Sequence, residues 1–151
     1  LVKSLGVCNF TIDQMTELLN IGEKPVVDQL ESHLYLQDGK TVDFLKENNI
    51  LHQAWGPLSQ GKSNLLDEEI LKDIGDKYGK TPAQIALKWN IERGTMVLVK
   101  STNPNRIKEN ISLFDFDLKE EDMHALTSLD KNTRFSNDPA NKDWLDQIRR
   151  G

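Results

Sequence analysis

The regular alternation of short apolar segments with amphipathic segments constrains the fold of this chain more than any other feature. The apolar segments begin near positions 2, 26, 51 and 96, at intervals of 24, 25 and 45 residues. Between them, apolar side chains recur at the three- and four-residue spacing of helices, and the longest interval holds two such patterns. Strands that alternate with helices indicate right-handed βαβ connections and a parallel sheet.

Local signals mark where the helices begin. Thr11 with Gln14, and Thr81 with Gln84, form the capping-box pattern that opens a helix, and Pro82 suits the first helical position. We expect strands at Val2–Val7, 25–31, Ile50–Trp55 and Met96–Val99, and helices at 11–22, Thr41–Asn48, Asp67–Tyr78, 81–94, 103–111 and Glu120–Leu129. A polar tail follows, with Trp144 and Leu145 as candidate anchors.

The number of strands predicts part of a larger closed sheet. A (β/α)₈ barrel spends roughly 250 residues on eight units, or about 31 residues each. Four strands in 151 residues therefore predict an α/β chain that is the C-terminal half of a TIM barrel, with a last helix and a tail. A small open α/β sheet is the alternative. No G-x-G-x-x-G pattern follows a predicted strand, which argues against a Rossmann domain.

We expect residues 1–151 to form a single domain, with residues 130–151 as a tail near the mouth of the barrel. Because Leu1 stands almost directly before a predicted strand, we expect the chain to be a fragment.

Composition excludes several classes of protein. The chain has 24 acidic and 19 basic residues and a net charge of -5, which argues against a general nucleic-acid binder. No apolar window approaches the roughly 18 residues of a membrane span. Cys8 is the single cysteine, so an internal disulfide framework and cysteine-only zinc sites are excluded. With no leader pattern, these features favour a reducing cytoplasmic location. His52 and His124 lack metal-ligand spacing, and we expect no metal site.

Four motifs carry a resemblance to a known family. They are Gly6-Val7-Cys8-Asn9-Phe10, Ala54-Trp55-Gly56-Pro57-Leu58-Ser59-Gln60-Gly61, Gly79-Lys80-Thr81-Pro82-Ala83-Gln84, and Val99-Lys100-Ser101 followed by Asn103-Pro104-Asn105-Arg106-Ile107 and Glu109-Asn110. Together they resemble the aldo-keto reductase superfamily, and most closely its bacterial diketogluconate-reductase and glyoxal-reductase branch. The resemblance implies a (β/α)₈ barrel that reduces aldehydes and ketones with NADPH.

The resemblance also places this chain at the second half of the barrel, from its fifth strand onward. The family's catalytic Asp, Tyr, Lys and His belong to the first half, upstream of Leu1, so we assign no catalytic residue. We expect no activity from these 151 residues alone.

A phosphate site is predicted where the fourth strand ends. In TIM barrels, phosphates commonly bind at the loops after strands 7 and 8 beside a helix N-terminus, whose N–H groups we expect to be free for an anion here. From spacing alone, an ordinary basic helix start remains an alternative. The resemblance implies that Lys100, Ser101 and Arg106 hold the 2′-phosphate of NADPH. It further implies that Arg106 stacks on the adenine and that Glu109 and Asn110 meet its edge.

A nicotinamide site is predicted at the ends of the first three strands. The resemblance implies that Trp55 lies under the nicotinamide ring, although a core tryptophan is the alternative. The resemblance also implies that Gly56, Leu58 and Gln60 belong to the loop that folds over the pyrophosphate. It implies that Cys8, Asn9 and Gln29 hold the carboxamide. Two residues depart from the family. Cys8 replaces the usual Ser, and Asp28 replaces the usual Asn and would place a charge near the barrel interior.

Three functions remain open at this point. The first is the cofactor-binding half of a carbonyl reductase with a small-molecule substrate, and the second is a non-catalytic NADP(H)-binding module or regulatory subunit. The third is a structural fragment that binds nothing. Two open sheet edges and inward side chains such as Val26, Leu51 and Val97 or Leu98 further predict that the isolated chain dimerises or pairs with the first half of a barrel.

Overall fold

The chain forms a parallel four-stranded sheet with helices on one face. The computed structural model describes residues 2–141 together with 143, 146 and 147. Within them, the strands are Gly6–Cys8 (β1), Val27–Glu31 (β2), Leu51–Trp55 (β3) and Met96–Leu98 (β4), and they lie in the sheet in chain order. All neighbouring strands are parallel, which confirms the predicted βαβ arrangement.

Helices connect and follow the strands. They are Ile12–Asn20 (α1), Gly39–Glu47 (α2), Glu69–Tyr78 (α3), Pro82–Glu92 (α4), Pro104–Ile111 (α5) and Glu120–Thr127 (α6), with short 3₁₀ turns at Ser59–Gly61 and Leu65–Asp67. Both predicted capping boxes are formed. The Thr81 hydroxyl accepts from the Gln84 backbone N–H at 3.3 Å, while the Gln84 side chain accepts from the Thr81 N–H at 3.1 Å. No helix within the described residues has the length and apolar character to cross a membrane.

The first strand is shorter than predicted. We expected Val2–Val7, whereas β1 begins at Gly6, which pairs with Val27 at the start of β2. Just before β2, the Val26 N–H donates one hydrogen bond to the Leu5 carbonyl at 2.8 Å. The preceding residue, Pro25, has no N–H to donate. Apart from that one bond to Leu5, the described residues before Gly6 therefore have no strand pairing, and Val2 is 73% exposed.

The two faces of the sheet differ sharply in burial. Asp28, Leu30 and Ala54 lie on the face that the helices cover and are buried, whereas Leu51 and Leu98 lie on the opposite, largely open face. We call this open surface the inner face, because it would line a barrel interior.

One expectation about these faces was wrong, and one pair of alternatives is decided. Asp28 points away from the inner face, because strand alternation places Gln29 there instead. Val97 is paired with the buried Ala54 and shares its helix-covered face, so of the two candidates it is Leu98 that lies on the inner face.

The covered face of the sheet and its helices hold two apolar clusters. The larger one lies among α3, α4 and α6 and contains Leu71, Ile85 and Trp89, each fully buried. The smaller one packs Met15 and Leu45 beneath β2. Trp89 is thus a core residue, and its indole N–H donates to the Thr127 hydroxyl at 3.2 Å.

The segment after α6 returns to the carboxyl end of β2. Backbone N–H groups of Lys131 and Thr133 donate to the Tyr35 carbonyl at 3.2 and 2.9 Å. The Phe135 N–H donates to Glu31 Oε1 at 2.7 Å. Trp144 and Leu145 lie outside the described residues. That 130–151 borders the barrel mouth, and that 1–151 is a single domain, stay predictions.

Candidate functional site

A cavity of about 850 Å³ opens beside the carboxyl ends of β3 and β4. Nine of the twelve predicted site residues line it, namely Trp55, Gly56, Leu58, Gln60, Lys100, Ser101, Arg106, Glu109 and Asn110. Sequence reasoning missed the rest of its wall, which is Pro57, Gly61, Leu66, Leu98, Val99 and the first residues of α4 with their cap, Thr81, Pro82 and Ala83. The cavity has a mixed lining, which includes a tryptophan, aliphatic side chains and two cationic side chains.

The cationic end of the cavity is formed by Lys100 and Arg106, both exposed. Among the described residues, no carboxylate forms an ion pair with either side chain, although the chain is acidic overall. Two unpaired cations at one end of a cleft favour an anionic ligand group there.

The N-terminus of α5 differs from our expectation. We expected free N–H groups, but the Asn103 side chain accepts from the Asn105 and Arg106 N–H groups at 2.9 and 3.3 Å. The Asn103 N–H donates to the Ser101 hydroxyl, Pro104 has no N–H, and the Ile107 N–H donates to the Asn103 carbonyl. Within this described segment, the first turn thus offers no free donor, so an anion would be held by side chains.

The polar part of the wall at Glu109 is fixed by the start of α4. The Thr81 hydroxyl donates to Glu109 at 2.5 Å, and the Gln84 side chain donates to the carbonyls of Glu109 and Ser112 at 3.3 and 2.9 Å. These two residues therefore cap α4 and hold the end of α5 at the cavity. Their pattern in the sequence indicated only the first role.

Trp55 lies half-buried at the end of β3, in the cavity wall. Its indole N–H donates to Asn9 Oδ1 at 3.0 Å. Asn9 adopts a φ of 58°, a left-handed conformation that asparagine tolerates better than most residues, and its own N–H donates to the Gln29 carbonyl at 2.9 Å. This network orients the indole ring and leaves the Asn9 side-chain NH₂ group available.

Cys8, Asn9 and Gln29 do not line the cavity itself but adjoin it on the inner face. The Gln29 side-chain amide donates to Gln53 Oε1 at 2.7 Å, and Cys8 Sγ lies 3.9 Å from Gln29 Oε1. Burial, and the nearby Asp28 charge, raise the pKa of the Cys8 thiol, which keeps it protonated as a weak donor. Sequence reasoning missed Gln53. The alternation of side chains along a strand places Gln53 on the same face as Trp55, but it does not show that Gln53 bonds to Gln29.

Comparison with known proteins identifies the family of this chain. Residues 1–131 match the Aldo/keto reductase family. This chain belongs to that family.

The matched relatives are about twice as long as this aldo/keto reductase chain. Methylglyoxal reductase DkgA of Escherichia coli K12 is 38% identical over 140 residues, which are 92% of this chain and 51% of DkgA. The uncharacterized oxidoreductase YtbE of Bacillus subtilis is 40% identical over 144 residues, which are 95% of this chain and 51% of YtbE. The chain thus spans about half the length of the curated relatives it matches, within the branch that the motifs indicated.

Solved structures give the same result for the fold. The aldo-keto reductase MGS-M4, from a deep-sea metagenome library of the Medee basin, superposes with a TM-score of 0.90 at 37% identity, covering 93% of this chain and 52% of that one. A Gox0644 mutant in complex with NADPH superposes with a TM-score of 0.86 at 36% identity, covering 91% and 51%. The half-barrel prediction is therefore confirmed, and NADP(H) is the cofactor of the family.

Next to the site, this aldo/keto reductase buries a carboxyl group. Asp28 is fully buried, and burial raises its pKa to about 6, an effect that the nearby Phe10 backbone N–H only partly opposes. Neither carboxyl oxygen receives a hydrogen bond of normal geometry from the described residues. The cross-strand neighbour His52 is also buried, which lowers its pKa to about 4 and keeps its imidazole neutral. Asp28 is thus a buried acid without a hydrogen-bond partner of normal geometry among the described residues.

Proposed function

We propose that this chain binds NADPH in the 850 Å³ cavity and forms the cofactor-binding half of a reductase for small aldehydes and ketones. The observation that carries the proposal is that the two unpaired cations, Lys100 and Arg106, line the same cavity as Trp55. A ligand with a phosphate group at one end and a flat apolar ring at the other fits this arrangement, and NADPH is such a ligand.

The cationic end would select the phosphorylated cofactor. Lys100 supplies a point charge, Arg106 a planar fork that matches two phosphate oxygens, and Ser101 a hydroxyl. The aliphatic stem and planar head of Arg106 also offer a stacking surface to adenine. Glu109 and Asn110 line the cavity beside them and would contact the adenine edge, with Glu109 held in place by Thr81.

The aromatic end would orient the nicotinamide. Trp55 offers its ring face, and the side-chain amides of Asn9 and Gln29 offer the donors and acceptors that a carboxamide requires. Bound NADPH supplies a hydride to the carbonyl carbon of the substrate. The residues of this chain hold the ring beside the inner face, and Leu58 and Leu66 exclude water from the cleft.

Small carbonyl compounds are the proposed substrates. DkgA is named a methylglyoxal reductase, which indicates the size of substrate that a close relative accepts. We propose that the family's catalytic positions lie outside these 151 residues, and that the chain alone binds the cofactor without turnover. We further propose a cytoplasmic location, where the exposed Cys8 thiol stays reduced.

Titration of the purified chain with NADPH tests the proposal. Saturable quenching of tryptophan fluorescence, with binding of NADPH confirmed by calorimetry, is the expected result. The absence of saturable binding would overturn it. The isolated chain should bind NADPH without oxidising it under either function. Oxidation of NADPH with methylglyoxal, followed at 340 nm after the first half of a barrel is added, therefore separates a reductase from the alternative of a non-catalytic NADP(H)-binding module.

A further inference from the structure

The side-chain amide of Gln29 is held by both its neighbours in the sheet. Gln29 pairs in register with Cys8 on β1 and with Gln53 on β3, and all three side chains lie on the inner face. Gln29 Nε2 donates to Gln53 Oε1 at 2.7 Å, while Gln29 Oε1 faces Cys8 Sγ at 3.9 Å.

The contacts of Gln29 with its two neighbours, Cys8 and Gln53, differ in strength. A thiol is a weak donor, so the contact from Cys8 places little constraint on which way the amide faces. The bond to Gln53 is short and well formed, and rotating the Gln29 amide by half a turn would set two oxygen acceptors against each other. As long as Gln53 presents Oε1 to Gln29, this bond sets the orientation of the Gln29 amide.

This orientation leaves Gln29 with one unused N–H and one unused acceptor position on Oε1. Both are needed to recognise another primary amide, which has one donor group and one acceptor group. Gln53 lies two residues before Trp55 on the same face of β3, but does not line the cavity.

We propose that Gln53 is a positioning residue, which fixes the Gln29 amide so that it recognises the carboxamide of the nicotinamide. The proposal rests on the function proposed above, because it assumes that NADPH binds with its nicotinamide beside Trp55. Gln53 acts through Gln29 and does not itself contact the cofactor.

Two substitutions at this position separate positioning from simple packing. Gln53→Leu keeps a similar volume but removes the acceptor, whereas Gln53→Glu keeps an acceptor oxygen for Gln29 Nε2. Calorimetry measures the Kd of each variant for NADPH and for 2′-phospho-ADP-ribose, which has the adenine, pyrophosphate and 2′-phosphate but no nicotinamide. A circular-dichroism melt checks that each variant is folded.

The expected result is a weakening of NADPH binding by roughly 3- to 10-fold in Gln53→Leu, the effect of about one neutral hydrogen bond. The Kd for 2′-phospho-ADP-ribose should stay within about twofold of the parent, and Gln53→Glu should stay within about twofold for both ligands.

Three outcomes would overturn the inference. They are an unchanged NADPH affinity in Gln53→Leu, an equal loss for both ligands, and a Gln53→Glu variant as weak as Gln53→Leu. In each case the parent still binds 2′-phospho-ADP-ribose, and the proposed function stands. A parent chain that binds neither ligand overturns the proposed function and this inference together.

Discussion

Asp28 is an acidic residue in a fully buried environment, which disfavours its charged form. Its pKa is raised from 3.8 to about 6, so the folded chain binds a proton more tightly than the unfolded chain between these values. The unfolding free energy should therefore fall as the pH rises from about 4 to about 6 and stay at the lower level above.

Replacing this carboxyl group tests that dependence. Asp28→Asn should raise the unfolding free energy at pH 7 by roughly 2 kcal/mol and flatten its decline between pH 4 and 6. Urea denaturation at several pH values measures both effects. Asp73→Asn, at an exposed position of α3, is the control and should change neither. An Asp28→Asn variant that keeps the parent's decline would contradict the assignment.

Arg106 is the residue on which cofactor preference should depend. Arg106→Ala removes a charge-assisted phosphate contact and a stacking surface, and such a contact is worth roughly 1.5–3 kcal/mol. The Kd for NADPH should rise at least tenfold while the Kd for NADH barely changes. Lys108→Ala is the matched control, because Lys108 lies on the same helix but outside the cavity wall. Equal losses for the two cofactors would show that the 2′-phosphate binds elsewhere.

The two described tryptophans should respond in opposite ways. Trp55→Ala should weaken NADPH binding and remove most of the fluorescence quenching. The melting temperature should change little, because Trp55 is only half-buried. Trp89→Ala should instead destabilise the chain by about 3–5 kcal/mol, since Trp89 lies in the larger apolar cluster. Titration and thermal melts of both variants measure the contrast. A collapse in stability with unchanged affinity for Trp55→Ala would make it a core residue.

At the scale of elements, Glu31 joins the segment after α6 to the end of β2. Its buried carboxylate accepts from the Phe135 N–H and the Ser136 hydroxyl, and lies 3.2 Å from His33 Nε2. Burial raises its pKa, but the hydrogen bonds from Ser136, Phe135 and His33 outweigh burial and lower it overall. The attachment is therefore complete above the ordinary range of a Glu pKa and should weaken as the pH falls below it.

Glu31→Gln should release this segment while the sheet stays folded. The carboxylate bonds are charge-assisted, and an amide replaces them with weaker ones. Hydrogen exchange of residues 131–141 should quicken several-fold, and exchange of β2 and β3 should not. Glu69→Gln, at an exposed position of α3, serves as the control. Unchanged exchange in 131–141 would show that other contacts hold the segment.

Features of the fold could be predicted from the sequence where they depend on residues close together in the chain. The helix starts at Thr11 and Thr81 follow from side chains three residues apart, and both were predicted. The start of β1 depends on where β2 begins, and it was predicted four residues too early.

The same distinction applies to the site. Nine of the residues that line the cavity follow from motifs. The contact of Thr81 with Glu109 and the bond between Gln29 and Gln53 do not, because they join residues 28 and 24 positions apart. We expected the N–H groups at the start of α5 to be free, but the Asn103 side chain accepts hydrogen bonds from two of them. The sequence shows where a helix begins but not how many of its first N–H groups the capping residue binds.

At the scale of the whole molecule, the sheet has two free edges and an open apolar face. Leu51, Met96 and Leu98 are each more than 40% exposed on the inner face, at 41%, 44% and 46%. We propose that the isolated chain pairs through β1 and β4 with a second copy, or with the first half of a barrel, because either supplies the missing strand partners.

Size-exclusion chromatography with light scattering tests this pairing. The isolated chain should elute as a dimer or larger species, rather than as a monomer of 17.2 kDa. Leu51→Lys on the inner face should shift it toward the monomer, whereas Ile21→Lys, at an exposed position after α1, should not. A sharp monomer peak with cooperative unfolding would contradict the proposal.

The complete capping of α5 has a consequence for protein engineering. Since Asn103 and Ser101 satisfy the backbone of this turn, the proposed function assigns recognition of the cofactor's phosphate to side chains, chiefly those of Lys100 and Arg106. Exchanging those two side chains for neutral or acidic ones leaves the scaffold of the turn untouched. Selectivity between the phosphorylated and unphosphorylated dinucleotide should therefore be open to redesign at two codons, without loop grafting or backbone remodelling.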